Sequence, residues 1–221
     1  MIACYPLGMT TPGLRERKKA RTRRVIADAA ARLFAERGYE QVAVSDVARE
    51  AEVSEQTVYN YFQTKEQLVI DRDQLVQEEL SRLIRTRAPG TTPAAAIREF
   101  VLDTVEGIRR IPAGQWRGEL GFLAAISPTV HRLSLEVSDR QASVLAAVIA
   151  ETETEAVAPE IARLRGIALA SVFQIIITEA GRRTREGQSQ DQIADELRPA
   201  IEAVLEKSPT STTILGSLTN F

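Results

Sequence analysis

The chain has 221 residues and is close to neutral, with 28 Lys or Arg against 30 Asp or Glu. That length holds a small domain plus one of ordinary size. A single cysteine, Cys4, excludes an intramolecular disulfide and any cysteine metal cluster, which fits a reducing cytoplasm. One histidine, no Gly-rich phosphate loop, no metal-ligand spacing and no nucleophile elbow argue against an enzyme and against a bound cofactor or metal. No apolar run reaches about 18 residues, so no membrane-spanning helix and no membrane partner are expected. The start MIACYPLGM lacks the charged region and long apolar core of a signal peptide.

Residues 1–12 read as a disordered lead, in which Met9 offers an alternative start. Leu14 to Gly38 reads as one helix: Ile26, Ala30, Leu33 and Phe34 fall on one face, and Gly38 supplies a left-handed stop. Its first eleven residues carry seven basic side chains (Arg15, Arg17, Lys18, Lys19, Arg21, Arg23, Arg24) against Glu16 alone. Such a stripe is either a phosphate-facing surface or a solvated helix face.

The segment Val44 to Phe62, VSDVAREAEVSEQTVYNYF, is the most informative in the chain. It reads as two short helices split by a three- or four-residue turn. Val47, Ala48 and Ala51 give the first an apolar face, Val53 plugs the turn, and Val58 and Phe62, four apart, anchor the second. The opposite side carries Glu55, Gln56, Tyr59 and Asn60, hydrogen-bonding groups unsuited to a core. A helix anchored on one face and polar on the other, behind a short support helix, is a helix-turn-helix with its recognition helix near Glu55 to Tyr61. Next, Thr64-Lys65-Glu66-Gln67 forms a capping box that opens a further helix, with Lys65 in its first turn where a phosphate is favoured. Charge divides accordingly: residues 1–65 carry a net of +3 and the remainder −5.

From Lys65 on, the pattern is helical with little sign of strand. One long helix is expected from Lys65 to about Arg87, broken by Pro89-Gly90-Thr91-Thr92-Pro93. A helix behind a Thr92 cap then runs from Pro93 to about Arg110, and a shorter one from Gln115 to Ala125. Ser127-Pro128 caps and opens another to about Thr152, and Pro159 opens a long helix through Arg185. A second capping box, Ser189-Gln190-Asp191-Gln192, starts the last helix, which ends near Lys207; residues 208–221 read as a flexible tail. The reading is all-α, about nine helices. A three-helix helix-turn-helix domain (13–64) precedes a second helical domain (65–207), to which the family resemblance that follows assigns ligand binding and dimerisation.

The stretch RVIADAAARLFAERGYEQVAVSDVA followed by VSEQTVYNYFQTKEQL resembles the N-terminal domain of the TetR family of transcriptional regulators, over about Leu14 to Leu68. Two positions depart from that pattern. Ala43 stands where the family commonly caps the first motif helix with Thr or Ser, at a cost of about 1 kcal/mol. Glu52 stands where the family has a turn glycine, and adds negative charge near DNA. The resemblance implies a dimeric repressor that sits on a pseudo-palindromic double-stranded DNA operator until a small-molecule effector shifts the Lys65–Arg87 helix; the same fold also serves activators and regulators without a ligand. It places Ser54, Glu55, Gln56, Thr57, Tyr59, Asn60, Tyr61 and Lys65 at DNA-touching positions.

Chemistry sorts these residues. Gln56 and Asn60 are base readers, since an amide pairs bidentately with adenine. Glu55 either accepts from cytosine N4 or is merely solvated. Ser54, Tyr59, Tyr61 and Lys65 hold phosphates, as do Arg21 and Arg24; for Tyr59 or Tyr61 the lesser alternative is a partly buried packing residue. The resemblance also pairs the last two long helices with their symmetry mates in a homodimer, through Leu169, Val172, Ile176, Ile193, Leu197 and Ile201; the alternative is burial within their own domain. Phe100, Trp116, Phe122, Phe173 and His131 are the candidates for an effector cavity, against a role as core fillers or, for His131, as a satisfied or exposed histidine.

Overall fold

A computed structural model describes residues 13–70, 73–111, 116–153 and 157–206, and among these all regular secondary structure is helix, joined by turns and loops. The expected lead and tail lie outside the described residues. Helices α1 (Leu14–Arg37), α2 (Val44–Glu50) and α3 (Glu55–Tyr61) form an N-terminal head. The body comprises α4 (Asp73–Arg85), α5 (Pro93–Arg110), α6 (Leu120–Ile126), α7 (Pro128–Thr152), α8 (Pro159–Arg185) and α9 (Gln190–Glu206).

The caps read from the sequence set these boundaries. The Thr92 and Ser127 hydroxyls each accept a backbone N–H in the first turn, from Ala95 and Val130 at 3.1 Å. At α9 the box closes reciprocally: Gln192 accepts from the Ser189 N–H at 3.0 Å and donates its own N–H to the Ser189 hydroxyl at 3.3 Å. Ala43 offers no side-chain cap, but Asp46 performs half of a capping box by accepting the Ala43 N–H at 3.0 Å. That contact comes first among the causes holding the Asp46 carboxyl below its usual range.

Two boundaries differ from expectation. The segment after the Thr64 box does not run on as one helix to Arg87. Thr64 does accept the Gln67 N–H at 3.4 Å, and Gln67 reaches back to the Gln63 N–H at 2.7 Å. The box opens only a single 3₁₀ turn, Glu66–Leu68, and α4 begins at Asp73. Tertiary anchors outweigh propensity here: Leu68 is buried in the head, Glu66 accepts from the Tyr39 hydroxyl at 3.4 Å, and the Lys65 ammonium lies 4.1 Å from the Tyr39 ring centroid. Lys65 therefore sits ahead of a 3₁₀ turn and not in the first turn of an α-helix. At the other end α4 stops at Arg85 because Arg87 turns inward, donating to the Ile84 carbonyl at 2.7 Å and the Thr152 hydroxyl at 2.6 Å. The second difference is α6, expected from Gln115 but beginning at Leu120. Gly118 precedes it against the α1 backbone, where a Cβ would overlap the Ala31 carbonyl.

Two apolar clusters organise the molecule. One joins α4, α5, α7, α8 and α9 around Leu80, Ile97, Leu145, Phe173 and Ile193. The other is the head core of Ile26, Phe34, Val47, Val58 and Phe62, and it also takes in Leu123, Ala124 and Val130 from α6 and the start of α7. Helix α6 is thus a bridge. It is held to α8 by paired glycines, since a Cβ on Gly121 would meet the Ile177 carbonyl and one on Gly181 the Gly121 carbonyl. The Ser127 hydroxyl, at its end, donates to Glu40 in the head at 2.5 Å.

By length and composition α8 is apolar enough to cross a membrane, which apolar runs alone did not foretell. In this fold it packs against α5, α6, α7 and α9. The residues expected at the dimer contact, Leu169, Val172 and Ile176 on α8 and Ile193, Leu197 and Ile201 on α9, are all buried within the chain's own core. The apolar residues left outside are Leu164, Ile167 and Ile175 on α8 and Val204 on α9, between 41% and 60% exposed.

Candidate functional site

The motif folds as its pattern dictates. Val47, Ala48, Ala51, Val58 and Phe62 are buried, pinning α2 and α3 to α1 through Ile26, Ala30 and Phe34. Helix α3 then turns Glu55, Gln56, Tyr59 and Asn60 outward, all exposed. Ser54 caps it, accepting the Thr57 N–H at 3.1 Å, and its hydroxyl lies 2.8 Å from that of Thr57. This fixes the helix N-terminus, which leads into the major groove in such motifs. The Gln56 amide donates to Asn60 Oδ1 at 3.2 Å, so the two candidate readers, one turn apart, are joined before any base is met.

The two tyrosines separate. Tyr59 is 44% exposed on the outer face, whereas Tyr61 is half-buried and packs against the head core. Lys65 is half-buried too, and burial is the main cause lowering its pKa, opposed by Glu40 and Glu66. Beneath it burial, reinforced by Glu66, pushes the Tyr39 phenol up to about 12, so Tyr39 stays a neutral donor. Along α1, Arg15, Arg17, Lys18, Lys19, Arg21 and Arg24 are exposed.

Arg23 behaves differently from the rest of the stripe. Its guanidinium stacks 4.5 Å from the Phe62 ring centroid and donates to the Tyr61 carbonyl at 2.8 Å, satisfying an acceptor at the last turn of α3. Composition alone groups it with its basic neighbours. Its spacing from Ile26 and Ala30, on the inner face of α1, was the available signal that it turns inward.

Between head and body lies a second feature, a mostly apolar cavity of about 230 Å³. Of the five expected effector residues it gathers two, Trp116 and Phe173. Phe100 stands behind Phe173, ring centroids 6.1 Å apart. Phe122 does not line it, and His131 is exposed on α7. Missed from the sequence were Asp28 on α1 and Gln141 on α7, both lining residues. Gln141 carried a signal: it occupies the apolar register Val137–Gln141–Leu145 and is buried at 6% exposure.

Comparison with known proteins accords with this arrangement. Residues 26–71 match the family described as bacterial regulatory proteins, tetR family. The HTH-type transcriptional regulator TcmR of Streptomyces glaucescens is 28% identical over 142 residues, covering 64% of this chain. The match spans 58% of that relative, less than two thirds of its length. Among solved structures, NalD of Pseudomonas aeruginosa, the secondary repressor of the MexAB-OprM multidrug efflux pump, superposes with a TM-score of 0.50 at 19% identity, over 84% of this chain and 97% of that one. A transcriptional regulator from Aquifex aeolicus gives 0.49 at 18% identity, over 83% and 99%. At 19% identity the likeness to NalD is one of fold.

Proposed function

Since the chain belongs to the TetR family of transcriptional regulators, we propose that it is a repressor that binds a pseudo-palindromic operator as a homodimer and leaves it when a small molecule occupies the interior cavity. The observation that carries the DNA-binding part is the two-sidedness of α3: Val58 is completely buried while Gln56, Tyr59 and Asn60 on the other side are exposed. Gln56 and Asn60 read bases, and Ser54, Thr57, Tyr59 and the exposed arginines of α1, Arg21 and Arg24 among them, hold phosphates. Glu55 stands beside the readers as an acceptor. Tyr61 and Arg23 brace the helix from behind.

Release needs an effector that prefers the DNA-incompetent shape. A tenfold loss of DNA affinity takes only about 1.4 kcal/mol of coupling. The cavity supports an effector-responsive reading over a ligand-free one, because a closed dry interior would leave nothing to bind. Selection of bound sequences from a random duplex pool at near-physiological salt tests the proposal. A two-fold pseudo-palindrome is the expected product, and recovery of salt-sensitive background alone, with the cavity verified empty, would overturn it.

A further inference from the structure

Lys65 has two carboxylates near it and pairs with neither. Its ammonium rests on the Tyr39 ring, and among the described residues no carboxylate closes on it as an ion pair. Glu40 and Glu66 both act on it through space. Different parts of the molecule hold these two acids. Glu66 is tied within the head, accepting from the Tyr39 hydroxyl at 3.4 Å and also from Thr64 and its own backbone N–H. Glu40 follows Tyr39 in the chain, and the contact on its carboxylate comes from the body: the Ser127 hydroxyl, at 2.5 Å.

Ser127 is built to keep that hold. It lies at the corner between α6 and α7 and is only 2% exposed. Its N–H donates to the Leu123 carbonyl at 2.8 Å, closing α6, and its hydroxyl oxygen accepts the Val130 N–H at 3.1 Å, opening α7. Both helices therefore fix its position, and the one hydroxyl proton is left for Glu40. A hydrogen bond to a carboxylate is among the stronger kinds. Once released from it, Glu40 has a half-buried ammonium nearby that lacks an ionic partner, and a cation partly withdrawn from water gains from one.

Resting on the reading of Lys65 as a phosphate anchor, we propose that Glu40 is a built-in competitor for the DNA phosphate at Lys65, and that the Ser127 hydroxyl holds it off. With the head seated on the α6–α7 corner, the ammonium is open to the DNA backbone. When the head leaves that corner, Glu40 closes on Lys65 and supplies the negative charge that the phosphate would have brought. Ser127 touches no DNA; it is a positioning residue that acts through Glu40.

The salt dependence of binding counts the phosphates neutralised. It is read by fluorescence anisotropy on a labelled mixed-sequence duplex of about 30 base pairs, between about 50 and about 200 mM salt. Ser127→Ala should flatten the slope by about 1 per head and weaken binding about fivefold to tenfold at about 0.1 M salt, as Lys65→Ala should. Because Ser127→Ala also removes the α7 cap, thermal melting checks that it folds, and the double variant Ser127→Ala with Glu40→Gln separates the two roles. That protein still lacks the cap but carries no competing charge, so it should regain the parental slope. Glu40→Gln alone should bind DNA at least as tightly as the parent. A double variant as weak as Ser127→Ala makes Ser127 structural only and overturns the proposal, as does a Glu40→Gln protein that binds more weakly than the parent. Lys65→Ala with the parental slope would remove the anchor itself, and the competitor with it. A slope lost in Lys65→Ala but kept in folded Ser127→Ala would sink the competitor alone, so the two failures are distinguishable.

Discussion

At Glu52 the backbone carries a conformational cost. It is the one non-glycine residue with positive φ among the described residues, at +54°, in a turn where the family pattern has glycine. A side chain in the left-handed region costs about 1 kcal/mol. Glu52→Gly should therefore raise unfolding stability by about that amount in chemical denaturation, and an unchanged midpoint would show the turn to be unstrained. The neighbouring departure, Ala43, was legible only in part: the missing cap was plain, but Asp46 taking the Ala43 N–H depended on a rotamer that one sequence does not show. Readers and anchors should also separate. Asn60→Ala should relax specificity at about one base position per half-site, at a cost of about 1–3 kcal/mol. Lys65→Ala should weaken all sequences alike and flatten the salt slope by about 1. Because Lys65 also rests on Tyr39, the slope is the deciding readout: lower melting with an unchanged slope would make it a brace.

Among the elements, α6 was the least legible and matters most to how head and body are joined. Its sequence, LGFLAAI, is short and apolar throughout, so periodicity assigned no face. The structure divides it between two partners: Leu123 and Ala124 enter the head core, while Gly121 lies on α8. By contrast α5, α7 and α9 were readable at their starts, because Thr92, Ser127 and Ser189 carry their caps in the local sequence. The break after Thr64 was not, since it is imposed on Glu66 by Tyr39, 27 residues away in the chain. The glycine pair gives a sharp test. A methyl at Gly181 has to displace the Gly121 backbone, and neither neighbour is a flexible side-chain end. Gly181→Ala should cost about 1–3 kcal/mol by overpacking. It should also loosen the head: amide exchange in α1 and α2 should rise along with that of α6. Exchange confined to α6 and α8 would mean that the bridge does not carry strain to the head.

For the molecule as a whole, the burial pattern narrows where a second copy would dock in the proposed homodimer. The residues singled out from sequence for that role are buried in the single chain, and apolar spacing marks a helix face that needs a partner without saying which partner. On α8 the other face remains: Leu164, Ile167 and Ile175 recur at helical spacing around half-buried Ser171, open to solvent in a single chain. If the proposed homodimer forms through this face, two recognition helices can address half-sites about one DNA turn apart, and the affinity of the pair greatly exceeds that of one head. The double variant Leu164→Glu with Ile175→Glu places four charges in a two-fold interface while touching nothing in the core. It should fold with an unchanged melting midpoint extrapolated to low protein concentration. Sedimentation should give a monomer, and binding to a full two-fold site should fall by about 100-fold or more while a single half-site is bound as before. A variant that still sediments as a dimer would move the interface off this face. A variant that is monomeric yet binds the full site undiminished would remove dimerisation from the DNA-binding mechanism.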